Sequence, residues 1–440
     1  MLEDQWSVMR FFAVISVLLV GMRAPAFAGN MLTLHDCIEN ALANNPSIRA
    51  AQEALNAELG KVTQATSPYF PQVTASTGYS DSHARGGAFG ETVTKSYTTT
   101  LSVNQVLYDF GKTGNALDSA RFGTQSADKD IDRVVQEVVL NVKQAYYALL
   151  QAKKLVRVAK QTLMQTESHM KQAEAFFRAG SKPRYDVTRA GVEVNSAKLS
   201  LINAENTVRL NTISLYTAMG LDPVRDVEIE DVLSQPSALP TLDDAQAVAL
   251  KNRPEMLKSE FDIQAAQSQV KTEQSSYLPT LSANGAYNWT HGTVLEGTFE
   301  GIPLTGEIQD SWNAGVTLSM PLFEGGLTSG KVSEARANKH QIEAQRDKLR
   351  LSILFEVNQS YADLESAAAR ITVTDSSLKS AQESLELAEG RYREGVGPSI
   401  EVTDAQLADA KAEIDYVQAL YDYQLAAARL AKAMGRGLER

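Results

Sequence analysis

Apolar and polar residues recur along this chain with two different periods, and the switches between them divide it. From Lys112 to Phe177 there is no proline, and Ile131, Val135, Val138, Val142, Ala145 and Leu149 recur at alternating spacings of four and three. That spacing lays one apolar stripe along a helix, the mark of a coiled coil. At about 1.5 Å per residue, some 65 residues extend on the order of 100 Å, far beyond a globular core. Lys331 to Tyr392 repeats the tract. Both tracts turn at a glycine, in FFRAGSKPRYDV and RYREGVGPSIEV, and return as helices ending at AMGLD and AMGRG.

Period two takes over between these tracts and shorter helices. Leu281, Ala283, Gly285, Tyr287 and Trp289 share one face, and Ser282, Asn284, Ala286, Asn288 and Thr290 the other. Trp312, Ala314, Val316 and Leu318 repeat the alternation after a Gly-rich loop. Such patterns predict strand pairs. Each segment is about 10 residues, the length of a tilted transmembrane strand. Trp289 and Trp312 stand at the loop ends beside Tyr287, which suits an interfacial aromatic girdle. Ser80 to Tyr97 and His291 to Ser311 are then expected as extracellular loops joining each pair. Four strands cannot close a barrel. Lipid tolerates no unpaired edge, so other copies of the chain must pair the free ones.

An internal duplication organises these elements. TLHDCIENALANNPSI from Thr33 returns as TLDDAQAVALKNRPEM from Thr241, 208 residues later, and the same shift carries Pro46 to Pro254, Tyr69 to Tyr277 and Pro71 to Pro279. Beyond the strands the shift becomes 215, relating Leu107 to Leu322, Tyr146 to Tyr361, Gly180 to Gly395 and Met219-Gly220 to Met434-Gly435. The difference is a seven-residue insertion confined to one interval, as a variable loop would produce. The expected layout is a signal peptide (1–28), a first repeat (29–220), a linker (221–240), a second repeat (241–435) and a short tail (436–440).

The leader reading rests on Arg10, the apolar run Phe11 to Val20 and the small-x-small site Ala26-Phe27-Ala28. Glu3 and Asp4 are unusual before such a run, and Met9 offers a second start. No later stretch reaches the ~20 apolar residues of a spanning helix. Composition then removes function classes. A formal charge of -11 argues against a nucleic-acid partner and favours cationic or neutral passengers in a lumen. The single cysteine, Cys37, can form neither an intrachain disulfide nor a Cys-based zinc site and reads as a small buried hydrophobe. His35, His83, His169, His291 and His340 lack metal-ligand spacing, and Gly325-Gly326 lacks a Walker lysine. No enzyme, cofactor or metal centre is expected. Two readings stay open on these grounds: a membrane duct, and a periplasmic coiled-coil adaptor or scaffold, which would share the helices and leader but need no strand pairs.

At the turns the pattern becomes specific. An aromatic-x-x-Gly turn followed six residues later by Asp-Val or Glu-Val, the Asn-Pro and Arg-Pro helix starts, and the exits LYDFGK and LFEGG together resemble the TolC-like outer-membrane factors, from Thr33 to Gly435. The resemblance implies an α+β membrane protein: a trimeric twelve-stranded transmembrane β-barrel, four strands per protomer, continued by a long periplasmic α-helical barrel of coiled-coil hairpins. It implies an exit duct in the cell outer membrane, serving a tripartite efflux pump or type I secretion system. Its partners would be a periplasmic adaptor (membrane fusion) protein, an inner-membrane transporter of RND or ABC type, and outer-membrane lipid.

Site residues follow from the same resemblance. Glu401 and Asp404 match two acids, three apart, of the family's pore constriction, with Glu where Asp is commoner at the first. Helical spacing lets both face one axis, and rings of like charge attract cations. Tyr392 and Asp186 match the tip-closing links. The family's arginine position is Gly397 here, and Tyr185 stands where Thr is usual, so Lys182, Arg184 or Arg393 would have to substitute. Gly180 and Gly395 match the turns that adaptors contact.

Overall fold

The computed structural model describes residues 31–85, 91–223, 228–231, 241–296, 298–299, 302–303 and 310–436. The signal-peptide reading of residues 1–28, most of the 221–240 linker and all but the first residue of the tail lie outside the described residues.

The uninterrupted stripes form two helices of 67 residues each, α3 (Lys112–Arg178) and α7 (Leu327–Arg393). Their starts share one device. In the first, Phe110 and Gly111 take left-handed φ values of 54° and 89°, while the Asp109 carboxylate accepts from the backbone N–H of Thr113 at 2.7 Å. In the second, Gly325 and Gly326 take 62° and 90°, and Glu324 accepts from the Thr328 hydroxyl. The left-handed pair turns the chain out of its strand. At the first start, the carboxylate also meets an N–H that the opening turn leaves without a carbonyl.

Each long helix is covered along its length by two shorter ones. α2 (Pro46–Thr66) and the returning α4 (Arg184–Met219) pack on α3, and α6 (Pro254–Ser275) and α8 (Ser399–Ala433) on α7. α3 also packs against α6 and α8, which joins the two halves side by side. Two further helices, α1 (Leu34–Asn44) and α5 (Leu242–Asn252), precede α2 and α6 and go unrecognised in the period analysis. Their signal is nonetheless in the sequence. The Thr33 hydroxyl accepts from Asp36 N at 3.1 Å while the Asp36 carboxylate accepts from Thr33 N at 3.0 Å, a reciprocal capping box, and Thr241 caps α5 through Asp244 N at 3.2 Å. Pro46 and Pro254 then end one helix and begin the next, since proline lacks the N–H an interior position must donate.

The joint between α1 and α2 is where α4 arrives. Val138, Val142 and Leu149 of the coiled-coil stripe, with Tyr146 beside them, bury against Cys37 and Ala41 of α1 and Leu215, Tyr216 and Met219 of α4. Burial pushes the Cys37 thiol up to about 12, so it behaves as the inert hydrophobe its isolation suggested. Ile353, Val357, Leu364, Ala426 and Leu430 build the equivalent cluster in the second half. The backbone of the linker is fastened here too: Leu32 and Ile229 form a parallel bridge, and the Tyr146 hydroxyl donates to Glu230 O at 2.6 Å.

The strands β1 (Gln72–Arg85), β2 (Glu91–Tyr108), β3 (Thr280–Glu296) and β6 (Ser311–Ser319) form one antiparallel sheet in the order β1-β2-β3-β6, and β4 (Thr298–Phe299) and β5 (Ile302–Pro303) a small separate hairpin. Here the structure corrects the expected loops. Most of Ser80 to Tyr97 is ladder, pairing Ser80 with Ser96 and continuing to Arg85 with Glu91, and His291 to Glu296 extends β3. The alternation is lost there because Ser80, Ser82, Thr94 and Ser96 give no contrast between faces and Val294 and Leu295 stand adjacent, while Thr and Ser remain compatible with extended backbone. Residues 86–90, 297, 300–301 and 304–309 of these segments lie outside the described residues.

Two glycines with the same backbone angle allow a test of the central joint. Gly220 (φ 74°) lies where an added Cβ would stand 2.8 Å from Asn45 Cα, whereas Gly180 (φ 75°) opens onto free space. Gly180→Ala is expected to cost roughly 1–2 kcal/mol, the left-handed penalty alone. Gly220→Ala adds a backbone clash and is expected to cost on the order of 3–4 kcal/mol. Thermal midpoints of the purified variants compare them, and equal losses would show that the α1–α2 joint does not approach α4 closely.

Candidate functional site

The sheet separates two chemistries. Its ladder sets Tyr287 opposite Trp312, Gly285 opposite Ala314, Ala283 opposite Val316 and Leu281 opposite Leu318, and continues through Leu101 and Val103 to Ala75 and Val73. One face is therefore dominated by small and apolar side chains. Opposite faces carry Thr74, Ser76 and Gly78, then Thr98, Thr100 and Ser102, then Ser282, Asn284 and Asn288, then Asn313 and Thr317. These polar side chains satisfy one another, with Thr100 Oγ1 donating to Asn288 Oδ1 at 2.8 Å and Thr317 Oγ1 to Asn284 Oδ1 at 3.2 Å. The polar wall carries no charged residue from Gln72 to Ser80 or in the strand segments paired alongside it.

Aromatic rings bracket the apolar face at both ends. Tyr79 packs on Tyr97 with centroids 4.8 Å apart, Tyr287 meets Trp289 at 4.6 Å, and Trp312 is 75% exposed. The opposite end carries exposed Tyr69, Phe70, Tyr108, Phe110, Tyr277 and Phe323, a second belt that sequence analysis missed. Its residues lie in YFP, YDF, SYLP and LFE, the turns at the strand roots, where they read as turn punctuation. About nine residues separate the belts along β1, or on the order of 25 Å after tilt, the height of a lipid-facing band.

At the far end of the long helices the two turns share one geometry. Gly180 and Gly395 have φ of 75° and 76°, and Ser181 N and Val396 N reach back to Phe176 O and Arg391 O, each at 3.0 Å. This left-handed closure caps the last helical carbonyls, and glycine is what permits it. Between the turns lies a junction within one protomer. Tyr392 is fully buried, with its ring 5.0 Å from His169 and 5.4 Å from Phe176. His169 Nε2 meets Ser399 Oγ at 3.0 Å, and Lys182 Nζ donates to Gly397 O at 3.2 Å while lying 5.5 Å from the Tyr392 ring centroid.

The expected tip residues are thus placed as follows. Lys182, among the substitutes considered for the missing arginine, bridges the two turns through the backbone of Gly397 itself. Tyr392 and Asp186 come near but form no hydrogen bond with each other: the Tyr392 hydroxyl is buried without a partner, and the Ser399 hydroxyl beside it is engaged by His169. Burial raises the Tyr392 pKa, and the nearby Asp186 charge adds to this. Glu401 and Asp404 do not stand as bare acids. Arg391 Nε lies 3.2 Å from Glu401, and Arg189 Nη2 lies 3.8 Å from Asp404. The role of His169 had no sequence signal, because its partner Ser399 is 230 residues away.

Residues 37–221 and 247–436 match the family model described as outer membrane efflux protein. The chain belongs to that family. Among curated relatives, Protein CyaE of Bordetella pertussis is 26% identical over 94% of this chain and 86% of its own length. Outer membrane efflux protein BepC of Brucella suis is 24% identical over 96% and 89%. The solved structure of the outer-membrane channel OprN superposes with a TM-score of 0.78 at 20% identity, covering 91% of this chain and 89% of that one. The fold is accordingly that of an outer-membrane channel, in which barrel strands continue into a helical tunnel. As a family member the protein is an outer-membrane exit duct and not an enzyme. The adaptor or scaffold alternative is not favoured, since the four-stranded sheet with its lipid-suited face would be superfluous to it.

The junction yields a pH expectation with a definite sign. Burial lowers the His169 pKa, the Asp186 charge offsetting part of this. A histidine depressed in the folded state contributes stability that is present above about pH 6.5 and lost as pH falls from there towards the folded value. Hydrogen-exchange protection of residues 390–400, taken relative to the intrinsic amide rate at each pH, is expected to fall as pH is lowered from 7.5 to 5.5, and His169→Gln to flatten that response. An unchanged response in the variant would remove His169 as its source.

Proposed function

We propose that three copies of this chain assemble one channel and that it is the exit duct of a tripartite efflux pump or type I secretion system. The observation that carries this reading is the sheet, with its lipid-suited face, uncharged polar face and two unpaired edges. Three such sheets give twelve strands, and the polar faces then line a water-filled lumen. In this reading residues 1–28 are a removable signal peptide, and residues 29–220 and 241–435 are two repeats joined by the 221–240 linker, with 436–440 as a tail. The helical turns lie in the periplasm, where Gly180 and Gly395 present the surface for an adaptor protein that couples the duct to an RND or ABC transporter. BepC is by name an efflux protein, which supports the efflux reading. Native mass in detergent tests the assembly, and a stable monomeric barrel would sink it. Co-purification of crosslinked inner-membrane partners, followed by secretion and drug-susceptibility assays in a deletion strain, tests the coupling.

In the assembled duct, Glu401 and Asp404 form the constriction, and Lys182, Asp186 and Tyr392 hold the hairpin tips closed. The paired arginines sharpen the expected behaviour. Removing both acids leaves Arg189 and Arg391 uncompensated at the narrow point, so selectivity should invert rather than merely weaken. In planar bilayers, Glu401→Ala with Asp404→Ala is expected to shift the reversal potential towards anions and relieve block by divalent cations, with assembly intact. Unchanged selectivity and block would place these residues away from the narrowest point.

A further inference from the structure

The duplication extends to the hydrogen-bond ladder, residue for residue. The first repeat pairs Tyr79 with Tyr97 and Val73 with Val103; the second pairs Tyr287 with Trp312 and Leu281 with Leu318. These are the same pairs carried by the shifts of 208 and 215 residues that relate the two halves. Between the repeats, β2 and β3 pair Tyr97 with His291, Leu101 with Tyr287 and Ser102 with Ala286. One further junction is needed to close a ring of such repeats, between β6 of one copy and β1 of the next, and both of these strands are free edges.

We infer that β6 receives β1 of a second copy of this chain in the register that β2 and β3 already use, setting Val316 opposite Tyr79 of the partner subunit. The same register sets Trp312 opposite His83 of the partner subunit and Thr317 opposite Gly78 of the partner subunit. The sequence supplies matching partners at both junctions. His83 and His291 are equivalent under the first shift, as are Tyr79 and Tyr287; Tyr97 and Trp312 are equivalent aromatics under the second, and Leu101 and Val316 equivalent aliphatics. An aromatic beside a histidine, and an aliphatic beside a tyrosine four residues further in, therefore recur at each seam. Face alternation holds as well: Val316 and Tyr79 both lie on the apolar face, and Thr317 and Gly78 on the polar one. A slip by one residue would turn the lipid-facing set of one strand towards the lumen. The inference rests on the trimeric assembly proposed above and specifies how its subunits meet.

Cysteine pairs in full-length protein carrying Cys37→Ala test it in isolated outer membranes. Directly opposed residues have Cα atoms about 4.5–5.5 Å apart, within disulfide range, whereas a slip of two residues opens the distance to about 8 Å. Oxidation of Val316→Cys with Tyr79→Cys is expected to give covalently linked trimers on a denaturing, non-reducing gel. Val316→Cys paired with Thr77→Cys or with Ala75→Cys is expected to link far less. Thr317→Cys with Gly78→Cys carries the same test on the polar face if substitution at the aromatic site hinders assembly. Efficient linkage in a slipped pair, with trimeric mass retained, overturns the register and leaves the trimer standing. Absence of intermolecular linkage in every pair, with a monomeric native mass, overturns the trimeric reading itself.

Discussion

Unpaired backbone groups cannot be left in hydrocarbon, and that constraint organises this protein. Each N–H and C=O exposed to lipid costs several kcal/mol, so a sheet in a membrane must close on itself. One chain brings four long strands with β1 and β6 as free edges. Its membrane region is incomplete in a strict chemical sense. Hydrophobicity sets which face meets lipid, but hydrogen bonding sets how many chains are required. The helices follow from the same geometry: each strand pair delivers its chain to a left-handed exit, at Phe110-Gly111 or Gly325-Gly326, that aims a 67-residue helix away from the sheet.

The two halves solve the same packing problem with different chemistry. At the α1–α2 joint, Asn45 donates from its side chain to Ala218 O at 2.9 Å and closes the contact with a neutral amide. The equivalent residue at the α5–α6 joint is Arg253, only 3% exposed, whose guanidinium reaches Glu255 at 2.8 Å and also Glu356, with Lys432 on Glu356 at 3.0 Å. A buried ionic cluster is worth little net but is costly to break, because an orphaned charge stays behind. Duplication preserved the backbone contact at both joints, since a Cβ added at Gly435 would stand 2.9 Å from Asn252 C, much as one added at Gly220 would meet Asn45. The side chains around it were free to diverge.

The long helices, the strand alternation and the duplication were all legible in the sequence, because each is a repeated local signal that outlasts its exceptions. The strand ends beyond Tyr79 and Trp289 were not, because Ser80, Ser82, Thr94 and Ser96 give no contrast between faces. α1 and α5 were overlooked although Thr33 with Asp36, and Thr241 with Asp244, announce them; a short helix offers too few turns for a period to emerge. At the tip, position could be carried over from the family resemblance but partners could not. Side chains such as His169 and Ser399, or Arg189 and Asp404, belong to different hairpins, and only the packed fold brings them within reach.

The polar face of the sheet has an electrical consequence. A tube wall of serine, threonine and asparagine, without fixed charge from Gln72 to Ser80 and in the segments paired alongside it, behaves as a plain ohmic resistor that conducts anions and cations according to their mobilities. Such a resistor, in series with the narrow point proposed at Glu401 and Asp404, would contribute resistance and no ion preference of its own. Under that proposal the barrel can vary in width or loop composition and alter conductance while leaving permselectivity to the other end of the tube.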